Sequence, residues 1–436
     1  FNPRSIAVTG VSAKSNRLGN LLLYSFMDMG FKGKLYAVNS NEEEVMGIKC
    51  IPSVGAIDGP VDLVIISVHP SRVPALVDDC IAKGVKAAVV FSSGFREKGD
   101  EGGKTEELLV QRAREGGMRI IGPNCMGLYS PSSGLSFFPG MPKEEGKTAF
   151  LSQSGSLANM LGISAGERGI RFSRMISVGN AADLDMNDFL EYLESDEKTE
   201  LITLYLEGIA DGRRFLDLAA RISPRKPILI WKVGRTEGGR ESAASHTGSL
   251  SGSEEIWKAA IRQAGLIAVE NLQELGGFIT AFQNPHIPQG NRVAILSGPG
   301  GIAVSTADAC YEAGLKLASL SDDSRKELSK FVPEFGASVA NPVDLSLSAS
   351  FDHGMYPRAT AICGADENVD MIVEFIPILH REVAEGLLET QAKIKKPIAV
   401  VTPLEFASLE TSAAKFFGTI SREELSAILK RMYDAG

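Results

Sequence analysis

The segment Ser242-Ala243-Ala244-Ser245-His246-Thr247-Gly248-Ser249-Leu250-Ser251-Gly252 sets one histidine in a run of small residues. Gly, Ala and Ser keep bulk away from the imidazole and let the chain approach a ligand closely. They also offer hydroxyl and main-chain donors to a phosphoryl group. A neutral imidazole nitrogen is a competent nucleophile near pH 7 when an acceptor orients the other nitrogen. His246 is the candidate nucleophile, and Glu207, in Leu204-Tyr205-Leu206-Glu207-Gly208 at a strand end, is the candidate orienter. Two turns could hold the transferred group, Ser152-Gln153-Ser154-Gly155-Ser156 and Ser297-Gly298-Pro299-Gly300-Gly301, each lying between an apolar strand and a helical pattern. Helix N-termini bind anions through main-chain N–H groups and the helix dipole. Ser152, Ser154, Gly155, Ser156, Ser297, Gly298, Gly300 and Gly301 are therefore the candidate phosphate-binding residues. Of the other histidines, His69 sits at a strand end beside Pro70, while His286, His353 and His380 read as loop or surface residues.

A series of α/β elements must position these groups. Short apolar, β-branched runs at 5–8, 34–38, 63–67, 87–91 and 119–122 alternate with helical stretches. Continuously apolar strands in such alternation predict a parallel, doubly wound sheet with its ligands at the carboxyl ends of the strands. A second series follows the polar stretch 130–146, with strands at 148–152, 172–178, 201–206 and 227–232. A third opens after 283–290, with strands at 293–296, 316–318, 371–375 and 398–402. The fold class expected is α/β, with three consecutive doubly wound domains at 1–130, 145–285 and 290–436.

In the first series the strand runs into Thr9-Gly10-Val11-Ser12, and Arg17-Leu18-Gly19 opens the next helix, the place where such folds take a phosphate-bearing ligand. Ser12 stands where a dinucleotide fingerprint has its second glycine, and Asn39 where an NAD enzyme has an acidic residue, so NAD is disfavoured. The loops Val68-His69-Pro70, Ser92-Ser93-Gly94-Phe95 and Gly122-Pro123-Asn124-Cys125 are rich in small polar residues at further strand ends.

Composition excludes several classes. A net charge of -9 argues against a nucleic-acid partner, which needs clustered Lys and Arg. No apolar run approaches the roughly 18 residues of a membrane span, and no basic-then-apolar signal opens the chain. The five cysteines have no metal or disulfide spacing, which predicts no metal site and a reducing, cytoplasmic setting.

In chain order, the Gly10-Val11-Ser12 turn, Gly122-Pro123-Asn124-Cys125-Met126-Gly127, Ser152-Gln153-Ser154-Gly155, Glu207-Gly208, Ser245-His246-Thr247-Gly248, Ser297-Gly298-Pro299-Gly300-Gly301 and Asn341-Pro342-Val343-Asp344-Leu345 resemble the NDP-forming acyl-CoA synthetase superfamily. That superfamily includes the ADP-forming acetyl-CoA synthetases and the succinyl-CoA synthetase alpha subunit. The resemblance implies a Rossmann-like CoA-binding domain followed by two flavodoxin-like ligase domains. It also implies that Gly10, Ser12, Arg17, Asn39, Val68, Pro70, Ser92, Ser93, Gly94 and Asn124 face CoA. The implied reaction turns acyl-CoA, phosphate and ADP into acid, CoA and ATP through an acyl phosphate and a phosphohistidine at His246. ADP or ATP and Mg would enter through an ATP-grasp domain, fused or carried by a beta-type subunit, in an oligomer. The glycine-rich stretch 237–252 is expected to swing between the sites. Relatives have a proline before and a lysine after the asparagine of Val38-Asn39-Ser40-Asn41, so one phosphate contact to CoA is in question. The readings set against this one are a catalytically silent CoA-binding sensor and a nucleotide binder unrelated to CoA.

Overall fold

The computed structural model describes residues 1–14, 16–167, 169–239, 253–283, 286–402, 427 and 431–432. His246 and the rest of 240–252 lie outside the described residues, as does the expectation that this stretch swings. The chain divides into two compact units, one made of Phe1–Gly166 and Ile170–Ile279, the other of Glu167–Gly169 and Thr280–Gly436.

The first unit holds two sheets. One is built from β1 (Ser5–Thr9), β2 (Lys34–Val38), β3 (Glu44–Val45), β4 (Ile48–Ile51), β5 (Leu63–Ile66), β6 (Ala87–Val90) and β7 (Arg119–Ile121), in the order β3-β4-β2-β1-β5-β6-β7. All its pairings are parallel except the β3-β4 hairpin. Every residue of β1 and β5 is buried, because helices cover both faces of a parallel sheet. That is why these strands are legible as unbroken apolar runs.

The second sheet is built from β8 (Gly127–Tyr129), β9 (Thr148–Ser152), β10 (Phe172–Ser177), β11 (Leu201–Leu206), β12 (Ile228–Lys232) and β13 (Ile267–Ala268), in the order β13-β12-β11-β9-β10-β8. Only β8 runs antiparallel, along β10. The chain therefore enters this sheet before residue 130. The polar stretch 130–146 is no free linker, because Leu135, Phe137 and Met141 are buried and the Tyr129 hydroxyl donates to Pro142 O at 2.7 Å.

The second unit carries β14 (Arg292–Ser297), β15 (Lys316–Leu317), β16 (Val343–Asp344), β17 (Met371–Phe375) and β18 (Ile398–Val401), all parallel, in the order β15-β14-β17-β18 with β16 also on β14. Its core packs the helix Met355–Ala365 against β14 and β17 through Tyr356, Ala359 and Cys363.

Candidate active site

At the carboxyl edge of the first sheet, Gly10 has φ +75°, and a Cβ there would lie 1.7 Å from Ser67 O, so only glycine fits. A Cβ on Gly19 would lie 2.5 Å from Gly10 C, which lets the helix Leu18–Met29 start against the turn. Asn20 braces the turn, accepting from Ser12 N at 2.9 Å and donating to Ser12 O at 2.8 Å. Asn39 donates to Val11 O at 2.6 Å. Ser92 Oγ donates to Val68 O at 2.6 Å, Asn124 N donates to Ser92 O at 3.0 Å, and a Cβ on Gly94 would lie 2.8 Å from Pro70 Cγ. The structure thus gathers Gly10, Asn39, Val68, Pro70, Ser92, Gly94 and Asn124 at one sheet edge, with Arg17 and Ser93 exposed nearby in the chain.

Sequence reasoning missed the occupant of this turn. Glu42 Oε1 accepts from both Ser12 Oγ and Ala13 N, each at 2.9 Å, so a carboxylate takes up the donors of this turn. The Ala13 N–H and the Ser12 hydroxyl hold this carboxyl below its ordinary range.

Two further loops join the sheets of this unit. Asn180 N, Ala182 N and Leu184 N donate to Pro123 O, Gly122 O and Ile120 O at 2.9, 3.0 and 3.2 Å, so residues 180–184 run along 120–123. Asp183, its side chain fully buried, accepts from Arg114 Nε at 2.6 Å, Arg119 Nε at 2.9 Å and Ile120 N at 2.8 Å. Burial pushes this carboxyl up, but those donors outweigh burial and hold it below the ordinary range. The Asn124 loop is thereby tied to the second sheet.

In the second sheet, Ser152 Oγ accepts from Ser154 N at 3.1 Å and donates to Ser154 O at 2.7 Å, folding the turn on itself. A Cβ on Gly155 would lie 2.4 Å from Met126 Cγ, which explains the glycine that opens the helix Gly155–Glu167. The Ser154 and Ser156 hydroxyls lie 3.3 Å apart.

Gln153 was passed over in the sequence because its neighbours carry the anion pattern. Its Oε1 accepts from Glu207 N at 2.6 Å and Gly208 N at 3.1 Å, and its Nε2 donates to Gly208 O at 2.9 Å. The serine turn and the candidate orienter are therefore locked together at one edge. Glu207 is buried. Burial, the Glu207 charge and a hydrogen bond to it push the Tyr205 phenol up to about 12. Lys232, at the end of β12, donates to Glu207 O at 2.8 Å.

In the second unit, Ser297 Oγ donates to Pro299 O at 3.0 Å, and Gly298 N donates to the Tyr356 hydroxyl at 2.9 Å. The Gly298 N–H read as an anion donor is thus already engaged. A Cβ on Gly300 would lie 2.5 Å from Asp344 Oδ2, which sets a carboxylate beside the start of the helix Gly300–Glu312. Of the reading of His380 as a loop or surface residue, the loop holds, since His380 precedes the helix Arg381–Gln391, but the surface does not: it is buried, and its ring stacks on His353 at 4.2 Å between centroids. An imidazole is apolar on its faces, so stacking offsets the loss of water on that side.

Comparison with known proteins matches three family models to the chain: a CoA binding domain at 4–131, a succinyl-CoA ligase like flavodoxin domain at 145–282 and a Ligase-CoA domain at 293–362. The alpha subunit of acetate–CoA ligase [ADP-forming] II from Pyrococcus furiosus is 41% identical over 406 residues, which are 91% of this chain and 88% of the relative. The chain belongs to the NDP-forming acyl-CoA synthetases. It is an alpha-type portion of an acid–thiol ligase with the expected α/β three-domain fold. Acetate–CoA ligase [ADP-forming] I from Archaeoglobus fulgidus is 39% identical over 86% of this chain, which spans only 54% of that relative. The dinucleotide-forming acetyl-coenzyme A synthetase 1 of Ca. Korarchaeum cryptofilum, solved with phosphate and ADP, superposes with a TM-score of 0.83 at 36% identity, covering 100% of this chain and 96% of that one. No helix among the described residues is long and apolar enough to cross a membrane.

Proposed function

We propose that His246 carries the phosphoryl group of this ligase. Phosphate attacks the acyl-CoA carbonyl, CoA leaves as the thiol, and an acyl phosphate forms. The free Nε2 or Nδ1 of His246 attacks phosphorus, the acyl–O–P link breaks and the carboxylate departs. The phosphohistidine then gives its phosphoryl group to ADP, held with Mg by an ATP-grasp domain or subunit. Glu207 accepts the N–H of the second imidazole nitrogen and stabilises the charge that develops on the ring. The serine turn, Ser152 to Ser156, receives phosphoryl oxygens. Spans 1–130, 145–285 and 290–436 are taken as the CoA-binding and the two ligase domains.

The observation that carries this reading is the Gln153 clasp, which fixes the serine turn and the Glu207 peptide at one sheet edge. CoA lies on the edge lined by Gly10, Asn39, Val68, Pro70, Ser92, Gly94 and Asn124. Acetate is the first acyl group to test, because relatives at 36–42% identity are named acetate ligases. The five cysteines are all free and buried, which suits a reducing cytoplasm. An assay of thiol release from acetyl-CoA, with ADP, Mg and an ATP-grasp subunit supplied, checks the activity. Phosphate-dependent turnover is expected, with ATP formation and any thiol release beyond the first equivalent lost in His246→Ala; release indifferent to phosphate would refute it.

A further inference from the structure

Lys232 ends the apolar run Ile228-Leu229-Ile230-Trp231 yet is only 3% exposed. A buried ammonium costs several kcal/mol unless donors and acceptors match. Here three elements meet it. Its Nζ donates to Glu207 O at 2.8 Å, past the end of β11, and to Val233 O, past the end of β12. It also stands 5.2 Å from the ring centroid of Trp257, on the helix Glu254–Gln263. The Trp257 ring in turn meets Phe215 edge-on at 5.8 Å. The Glu207 peptide is consequently held on both sides, its N–H by Gln153 and its C=O by Lys232.

We propose that Lys232 is a positioning residue for phosphoryl transfer, its ammonium fixing the main chain that carries Glu207. The proposal rests on the reading of Glu207 as the orienter of His246. A side chain present for packing alone would be served by leucine or methionine, without desolvating a charge. Among the described residues, the charged groups facing Lys232 are Glu207 and Arg235, the latter paired with Glu270, and Glu254 faces Arg235 from the helix of Trp257. Burial brings the ammonium down to about 8, with Glu207 opposing and Arg235 assisting that shift. Loss of the Lys232 proton on the alkaline side therefore weakens its charge-assisted bonds to the Glu207 and Val233 carbonyls, although the neutral amine keeps two N–H donors.

The test uses phosphoramidate, a small phosphodonor to histidine that needs neither CoA nor a partner. Phosphorylation is followed by intact mass between pH 6 and pH 9.5 in wild type, His246→Ala, Lys232→Met and Lys232→Arg. Every variant loses rate on the alkaline side as the phosphoramidate nitrogen gives up its own proton, and wild type is expected to lose more, because Lys232 deprotonates there as well. Lys232→Met should be slower at pH 7 by at least about tenfold, a small part of the roughly 10²–10⁴ that a positioned acid–base group contributes, and should show only the donor's share of the alkaline loss. Lys232→Arg should recover rate at pH 7 and also show only that share. Equal rates and an unchanged alkaline loss in a folded Lys232→Met would overturn the proposal. A wild type that gains no more phosphoryl than His246→Ala would remove the phosphohistidine reading itself, an outcome distinct from failure at Lys232. Should the 232 variants not fold, indole fluorescence decides without them: wild type should show a transition near pH 8 that Trp257→Phe lacks, and its absence overturns the proposal.

Discussion

Replacing Asp183 tests the link between the first two sheets. Its carboxylate receives two guanidinium N–H groups and the Ile120 N–H in a site from which water is excluded. Hydrogen bonds to a buried charge contribute about 1.5–3 kcal/mol each, but Arg114 and Arg119 are half-exposed, and solvent screening cuts their share to about 1 kcal/mol or less. Asp183→Asn keeps one acceptor for Ile120 N and loses the charge, so about 2 kcal/mol should be lost. Asp183→Ala also orphans the Ile120 N–H, adding about 1–3 kcal/mol. At roughly 2–4 °C per kcal/mol for a unit of this size, the alanine variant should melt about 6–20 °C lower by calorimetry. The Asp183 carboxyl is held below its ordinary range, so its contribution is full above the unfolded pKa near 3.8 and disappears as pH falls through the lower folded value. The difference between wild type and Asp183→Asn should shrink below pH 4. A drop under about 1 °C for Asp183→Ala, or a difference unaffected by acid, would refute the reasoning.

Glu374, wholly buried on β17, has its carboxyl pushed up to about 8 by burial, with the Thr360 hydroxyl opposing. The folded chain keeps a proton that the unfolded chain releases, so stability falls as pH rises from the ordinary 4.5 towards 8. Glu374→Gln should stabilise the second unit at pH 7 by on the order of 2 kcal/mol and flatten that slope in denaturation; a destabilised variant at pH 7 would contradict it. Glu42→Gln removes the charge seated on Ser12 and Ala13 and should tighten CoA binding in calorimetry, most at low salt. Unchanged or weaker binding would show that the carboxylate does not compete with CoA phosphate.

Much of the scaffold is legible because parallel strands buried on both faces must be apolar throughout, as in β1, β9 and β11. The strands β3, β4, β8, β13 and β16 are not among those expected, since two to four residues carry almost no periodicity; the equally short β7 and β15 are legible from their place in the alternation with helices. Glu207 could be placed in advance because ligands of such sheets gather at the carboxyl edge, and it does end up beside the serine turn. Its supports could not. Gln153 and Lys232 act through main-chain atoms of segments far away in sequence, and a lysine at a strand end normally reads as solvent-exposed. Glu42 was hidden in Glu42-Glu43-Glu44, which by composition is a solvated acidic run. The burial of His380 was not legible, since its stacking partner His353 lies 27 residues away and nothing local marks the pair.

The central claim is most directly tested by intact-protein mass spectrometry of the chain mixed with phosphate and a panel of acyl-CoA thioesters, in wild type and His246→Ala. An acid-labile gain of one phosphoryl group, present with some thioesters and absent in His246→Ala, is the predicted result. An equal gain in His246→Ala, or a gain in wild type that survives acid, would contradict a phosphohistidine at this position.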